Sequence, residues 1–132
     1  MTTLHLTLKK HWYDAIMSGD KKEEYRQITE HWIDRLTWQE YHNLSRQEII
    51  KLVSEGRDVL KRNFDVIEFK NGYRKDSRVM TVELLDICID KPKDNWCTGD
   101  KEMCFVLKLG RVFENKEACE KYYIQKIKET IK

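Results

Sequence analysis

The sequence predicts an α+β fold, with a small, mostly antiparallel sheet curling into a barrel and helices packed outside it. Three observations point there. Apolar patterning gives the element order β-α-β-α-α-β-β-β-α, in which strands are not separated regularly by helices, and this disfavours a doubly wound parallel sheet. A long alternating run from Arg78 to Asp90 lies between two other strand-forming runs. The chain has 132 residues, 40% of them hydrophobic, which supplies one core and a single domain over 1–132.

Taken in order, Leu4-His-Leu-Thr-Leu-Lys9 alternates apolar and polar residues and forms a strand with Leu4, Leu6 and Leu8 inward. From Lys10 to Ser18 the spacing turns helical, with Trp12, Ala15 and Ile16 on one face and Gly19 placed to close the helix. Lys22 to Gln27 forms a short strand, and Thr29 N-caps a helix carrying Trp32, Ile33 and Leu36. Ser45-Arg-Gln-Glu48 is a capping box, and Leu44 with Ile49 fits a hydrophobic staple. Ile49, Leu52, Val53, Val59 and Leu60 continue an apolar helix face to about Asn63, interrupted at Gly56. Strand character returns at Phe64-Asp-Val-Ile-Glu-Phe69, which ends at the turn signal Asn71-Gly72. In the run from Arg78, the residues Val79, Thr81, Leu85, Ile87 and Ile89 share one parity. Pro92 to Gly99 forms a loop holding Trp96, and Met103 to Leu109 forms a strand closed by Gly110. The last helix, about 115–131, places Cys119, Tyr123, Ile127 and Ile131 at i+4 spacing, with Ile124 beside them.

Composition excludes several classes. Five Gly and one Pro rule out collagen-like and Pro-rich linker proteins. No apolar run is long enough for a transmembrane helix, and the start lacks the basic-then-apolar pattern of a secretory signal, so a cytoplasmic protein is expected. The net charge is only +2, so any nucleic-acid site must be a local patch and not the whole surface. Cys88, Cys97, Cys104 and Cys119 have no C-x-x-C pair and no histidine in zinc-finger register, so no metal and no disulfide are expected. His5, His11, His31 and His42 are scattered, and the common nucleotide-loop, metalloprotease and hydrolase motifs are absent; no cofactor is implied.

One constellation stands out. Asp20 to Arg26 packs six charges into seven residues immediately after a helix stop. On a strand, Glu24 and Arg26 point to one side, and Glu23 and Tyr25 to the other. Lys21 in the turn reaches either face. Arg offers a planar fork for phosphate or a base edge, Lys a point charge, and Glu an acceptor for an exocyclic amine. A salt-bridged exposed strand accounts for the same residues without a ligand.

The spacing Gly19, Lys21, Glu24, Arg26 is G-x-K-x-x-E-x-R, and here the chain resembles the ASCH domain family of the PUA-like β-barrel superfamily. The flanks agree with that resemblance: Leu6-Thr-Leu-Lys9 before a helix, Ser18-Gly19 after it, Phe69-Lys-Asn-Gly-Tyr73 before a long strand, and Leu107-Lys-Leu-Gly110 at the end of the last strand. They resemble a subgroup common in bacteria and their phages. The resemblance covers about 3–36 and 64–112; residues 37–62 then form a helical insertion and the last helix an appendage. It implies a PUA-like barrel that binds RNA, a nucleotide or a modified base in a cleft bearing Lys21, Glu24 and Arg26, with Lys9 beside them. Some small ASCH proteins are amidohydrolases acting on an acetylated cytidine. A Thr nucleophile stands there where this chain has Glu24, and a carboxylate does not replace that hydroxyl in acyl transfer. A different hydrolysis with Glu24 as general base beside Lys21 is the enzyme alternative, and a protein-interaction module using the insertion helix is the third reading.

Two further features bear on binding. Lys70, Arg74, Lys75 and Arg78 surround Tyr73, the pattern of a stacking ring among cations, while Asn71-Gly72 is equally a plain hairpin turn. Asn71, Tyr73 and Arg74 would extend the binding surface. Trp12 fits the core, and Trp96 fits a stacking or lid residue.

Overall fold

In the computed structural model of the chain, residues 1–131 other than Thr98 and Asp100 are described. Among the described residues, five strands and four α-helices form in the order β1 (Thr3–Leu8), α1 (Lys10–Met17), β2 (Glu23–Arg26), α2 (Glu30–Leu36), α3 (Arg46–Ser54), β3 (Val66–Asn71), β4 (Val79–Asp90), β5 (Cys104–Phe113) and α4 (Lys116–Ile131). The strand order is β1-β3-β4-β5-β2. β1 pairs with β3 in parallel, and β3 with β4 and β2 with β5 antiparallel. The fold is therefore α+β with a mixed sheet. The parallel pair exists because more than fifty residues separate β1 from β3, ample for the crossover a parallel pair needs.

The chain divides into two compact units: Met1–Lys22 with Phe64–Leu84 and Gly110–Lys132, and Glu23–Asn63 with Leu85–Leu109. In the first, Leu4, Leu6 and Leu8 of β1 are buried with Ile67 and Phe69 of β3, which share one parity, while Val66, of the other parity, is also buried. α1 packs on β3 and buries Tyr13 and Ile16. Trp12 is only half-buried, so the core face of α1 is turned by one residue from the expected one. Phe113, Val66 and Cys119 form a cluster joined by Tyr122 and Tyr123 of α4. Beyond that point α4 leaves Ile124, Ile127 and Ile131 largely exposed, so its i+4 stripe is core only in its first half.

In the second unit, Ile28, Ile33, Leu36, Ile49, Val59 and Leu60 are buried, as are Phe105, Val106 and Leu107 of β5. The capping box at α3 is present in both directions, Ser45 Oγ accepting from Glu48 N at 3.1 Å and Glu48 Oε1 from Ser45 N at 3.1 Å. α3 stops at Ser54, and Gly56 follows at φ +86°, a value that ends a helix. Val59 and Leu60 thus reach the core as extended chain, and Leu60 bridges Thr37. Residues 37–62 hold one α-helix, a short 3₁₀ turn at Gln39–Tyr41 and irregular chain, instead of a helix face running to Asn63. Thr29 sits at the N-cap of α2, but its side chain makes no capping bond.

Two strands differ from their reading. β4 does not keep one parity: Met80 and Val82 are buried while Val79 is 53% and Leu85 62% exposed, and Ile87 is buried again. The switch falls where β4 passes from the first unit to the second, each half following its own core. β5 continues through Gly110 to a buried Phe113.

Candidate functional site

β2 sets the geometry. Its alternation places Glu24 and Arg26 on one side, and Arg26 Nη2 donates to Glu24 Oε2 at 2.7 Å. The pair is mostly out of water, with side-chain exposures of 7% for Glu24 and 20% for Arg26. The Arg26 guanidinium carbon also lies 5.2 Å from the centre of the Trp32 ring, so α2 supplies an aromatic partner that steadies the fork. On the other side of β2, Tyr25 donates to Glu23 at 2.7 Å and accepts from Lys93 N at 3.1 Å. Lys93 Nζ lies 3.6 Å from Glu23 and 5.1 Å from the Trp96 ring centre. Burial pushes the Tyr25 phenol well above its ordinary value, so it stays a neutral donor. Trp96 is half-buried and held by this network, which ties its loop to β2.

Lys21 belongs to the first unit. Ser18 caps α1, Gly19 takes φ +86°, and Lys21 N then donates to Ala15 O at 3.0 Å. Its side chain lies along α1 with Nζ 4.1 Å from the Trp12 ring centre, and the residue is only 3% exposed. Such burial of a lysine is uncommon, and the ring face offsets part of its desolvation.

Lys9, Asn71, Tyr73 and Arg74 also lie in the first unit, at one end of the β1–β3 pair. Leu8 pairs with Asn71, and Gly72 N donates to Leu8 O at 2.9 Å. Tyr73 is 92% exposed; Lys9 and Arg74 are exposed as well.

In the second unit a cavity of about 270 Å³ opens just past β2, lined by Gln27, Ile28, Thr29, Arg46, Met103 and Cys104 among others. Arg46 spans it to Met103 O at 3.1 Å, while Glu24 and Arg26 are not among its lining residues. Burial pushes the Cys104 thiol up to about 12, and Cys88 and Cys119 are raised for the same reason; buried thiols of this kind pack as small hydrophobes. Among the described residues no group of three or more His, Cys, Asp or Glu could hold a metal ion. His31 is exposed, edge-on to Trp32 at 4.6 Å between ring centres.

The aromatic partners of Lys21 and Arg26, Trp12 and Trp32, were hidden in the sequence because each also fits the apolar stripe of a helix. Their signal was position: each lies on a helix next to the charged run. No protein-family model matches the chain, and neither a curated protein nor a solved structure matches it.

Proposed function

We propose that the chain binds RNA, or a nucleotide or modified base, and that Glu24 and Arg26 recognise the base. The observation that supports this reading is the 2.7 Å Glu24–Arg26 contact, largely out of water and flanked by Trp32. A carboxylate acceptor beside a guanidinium donor complements a base edge that sets an exocyclic amine beside an acceptor, as cytosine does with its amino group and ring nitrogen. Trp32 and the carboxylate hold the fork in one plane, which lowers the ordering cost when a ligand binds.

The test is calorimetric titration of cytidine and uridine monophosphates into the wild type and the variants Glu24→Gln and Arg26→Lys, with circular dichroism to confirm folding. The amine-bearing nucleotide binds more tightly than the keto one, and both variants erase that preference. Equal affinity of the two nucleotides in the wild type, or a preference that survives Arg26→Lys, would overturn the reading.

A further inference from the structure

We propose that the β3–β4 hairpin tip, with the β1–α1 junction beside it, is a second nucleic-acid surface that grips single strands, Tyr73 stacking on an unpaired base and Lys9, Arg74, Lys75 and Arg78 taking the flanking phosphates. It rests on the nucleic-acid reading above but on none of the residues that read the base.

Three observations carry it. The first is Tyr73 itself, whose 92% exposure is the highest among the exposed large hydrophobic side chains. A turn needs Gly72, at φ +86°, but has no need of an aromatic ring in water one residue later. The second is that the tip is built, not loose. Asn71 N donates to Arg78 O at 2.9 Å, Ser77 N to Arg74 O at 3.2 Å, and Gly72 N to both Leu8 O and Lys70 O. The ring is therefore presented from a framed turn, which reduces the entropy lost on stacking. The third is charge brought in by tertiary structure. The parallel register of β1 on β3 sets Leu8 opposite Asn71, so Lys9 emerges beside Gly72–Tyr73 although more than sixty residues separate them in the chain. Arg78 is steadied at the base of the hairpin, its guanidinium 6.0 Å from the Tyr13 ring centre and 3.7 Å from Met17 sulfur. Asp76 is the one acid in the turn between Asn71 and Arg78.

A ring among cations matches a sequence-tolerant single-strand platform, in which stacking supplies affinity and phosphates supply salt dependence. An anionic lipid surface would use the same cations but would call for an apolar patch to insert, and between Asn71 and Arg78 the turn offers one large apolar side chain, Tyr73, with Val79 and Met17 only partly exposed behind it.

The test uses fluorescein-labelled oligouridylate of about ten nucleotides, a length within the usual platform range of ~4–16. Anisotropy is read across salt for the full chain and for Tyr73→Ala, Lys9→Gln and the pair Arg74→Gln with Lys75→Gln. Uridine has no exocyclic amine, so the base preference proposed for Glu24 and Arg26 does not enter. Tyr73→Ala weakens binding by about 5- to 150-fold, the range expected for loss of one stacked base. Each removed phosphate contact flattens the slope of log affinity against log salt by about 0.7. Mononucleotide preference stays unchanged in Tyr73→Ala and in the Arg74–Lys75 pair, which separates failure here from failure of the base-reading site. Oligouridylate binding that is indifferent to Tyr73→Ala would overturn the proposal. So would phosphatidylserine vesicles binding the wild type in a Tyr73-dependent way while oligouridylate does not bind.

Discussion

Glu24 and Arg26 show how a charged pair can be legible in sequence while its environment is not. Strand parity alone puts them on one side of β2, and they meet at 2.7 Å. Nothing local says that the pair is nearly dry, because burial depends on what packs over it. A pair this far out of water is a different energetic object from an exposed one. Removing one member leaves the other charge poorly solvated, whereas an exposed pair is worth at most about 1 kcal/mol. We expect Glu24→Ala to destabilise the fold by about 3 kcal/mol and Glu24→Gln, which keeps the shape and an acceptor, by about 1 kcal/mol. Urea unfolding followed by tryptophan fluorescence measures both. Equal and negligible losses would show that the pair behaves as a surface contact. Lys21 and Trp12 repeat the lesson: the lysine reads as a turn residue and the tryptophan as core, yet the two form one cation–ring contact at 4.1 Å.

At the scale of elements, local signals worked where they were self-contained. The Ser45–Glu48 capping box and the turn at Gly72 involve neighbours in sequence and appear as read. The stretch after α3 did not follow its apolar spacing. Gly56 ends the helix, and Val59 and Leu60 are buried through extended chain. That stretch is fastened by Arg62, which bonds Asp58 and also Asp86 at 3.0 Å and Ile87 O at 3.2 Å on β4. The Arg62 hydrogen bond holds the Asp58 carboxyl below its ordinary range. A carboxyl lowered in the folded state stabilises that state above its unfolded value near 4, and the contribution is lost as pH falls through the lowered value. Both groups are substantially exposed, so the effect is at most about 1 kcal/mol. Arg62→Met is expected to cost about 1 kcal/mol at pH 7 and to lose that difference progressively as pH falls below about 4 and through the lowered Asp58 value. Paired thermal melts of wild type and variant across that range measure it; a difference that does not shrink in acid would assign the cost to packing.

At the scale of the whole molecule, charge is nearly balanced, with 25 basic and 23 acidic residues. A surface of that kind has no general attraction for polyanions, so binding depends on where a few cations gather. We therefore expect random-sequence duplex DNA to bind much more weakly than oligouridylate at ~0.15 M salt, since a duplex hides its bases from a stacking ring while offering the denser phosphate charge. Competition of unlabelled duplex against labelled oligouridylate reads this directly. Equal competition per nucleotide would mean that general charge, and not a local platform, drives association.

What the sequence determined by itself is the set of elements and their inward faces wherever periodicity belongs to one core: β1, the start of α3, α4 as a helix, and the shared side of Glu24 and Arg26. Long-range packing set the rest. The parallel pairing of β1 with β3, which brings Lys9 to Tyr73, follows from long-range register that no local pattern encodes. The change of parity along β4 follows from the strand's passage between two cores, since alternation in sequence reports one buried face at a time. The pairing of Trp12 and Trp32 with cations follows from side-chain packing across elements. An aromatic residue at helical spacing looks the same in sequence whether its face meets the core or a charge.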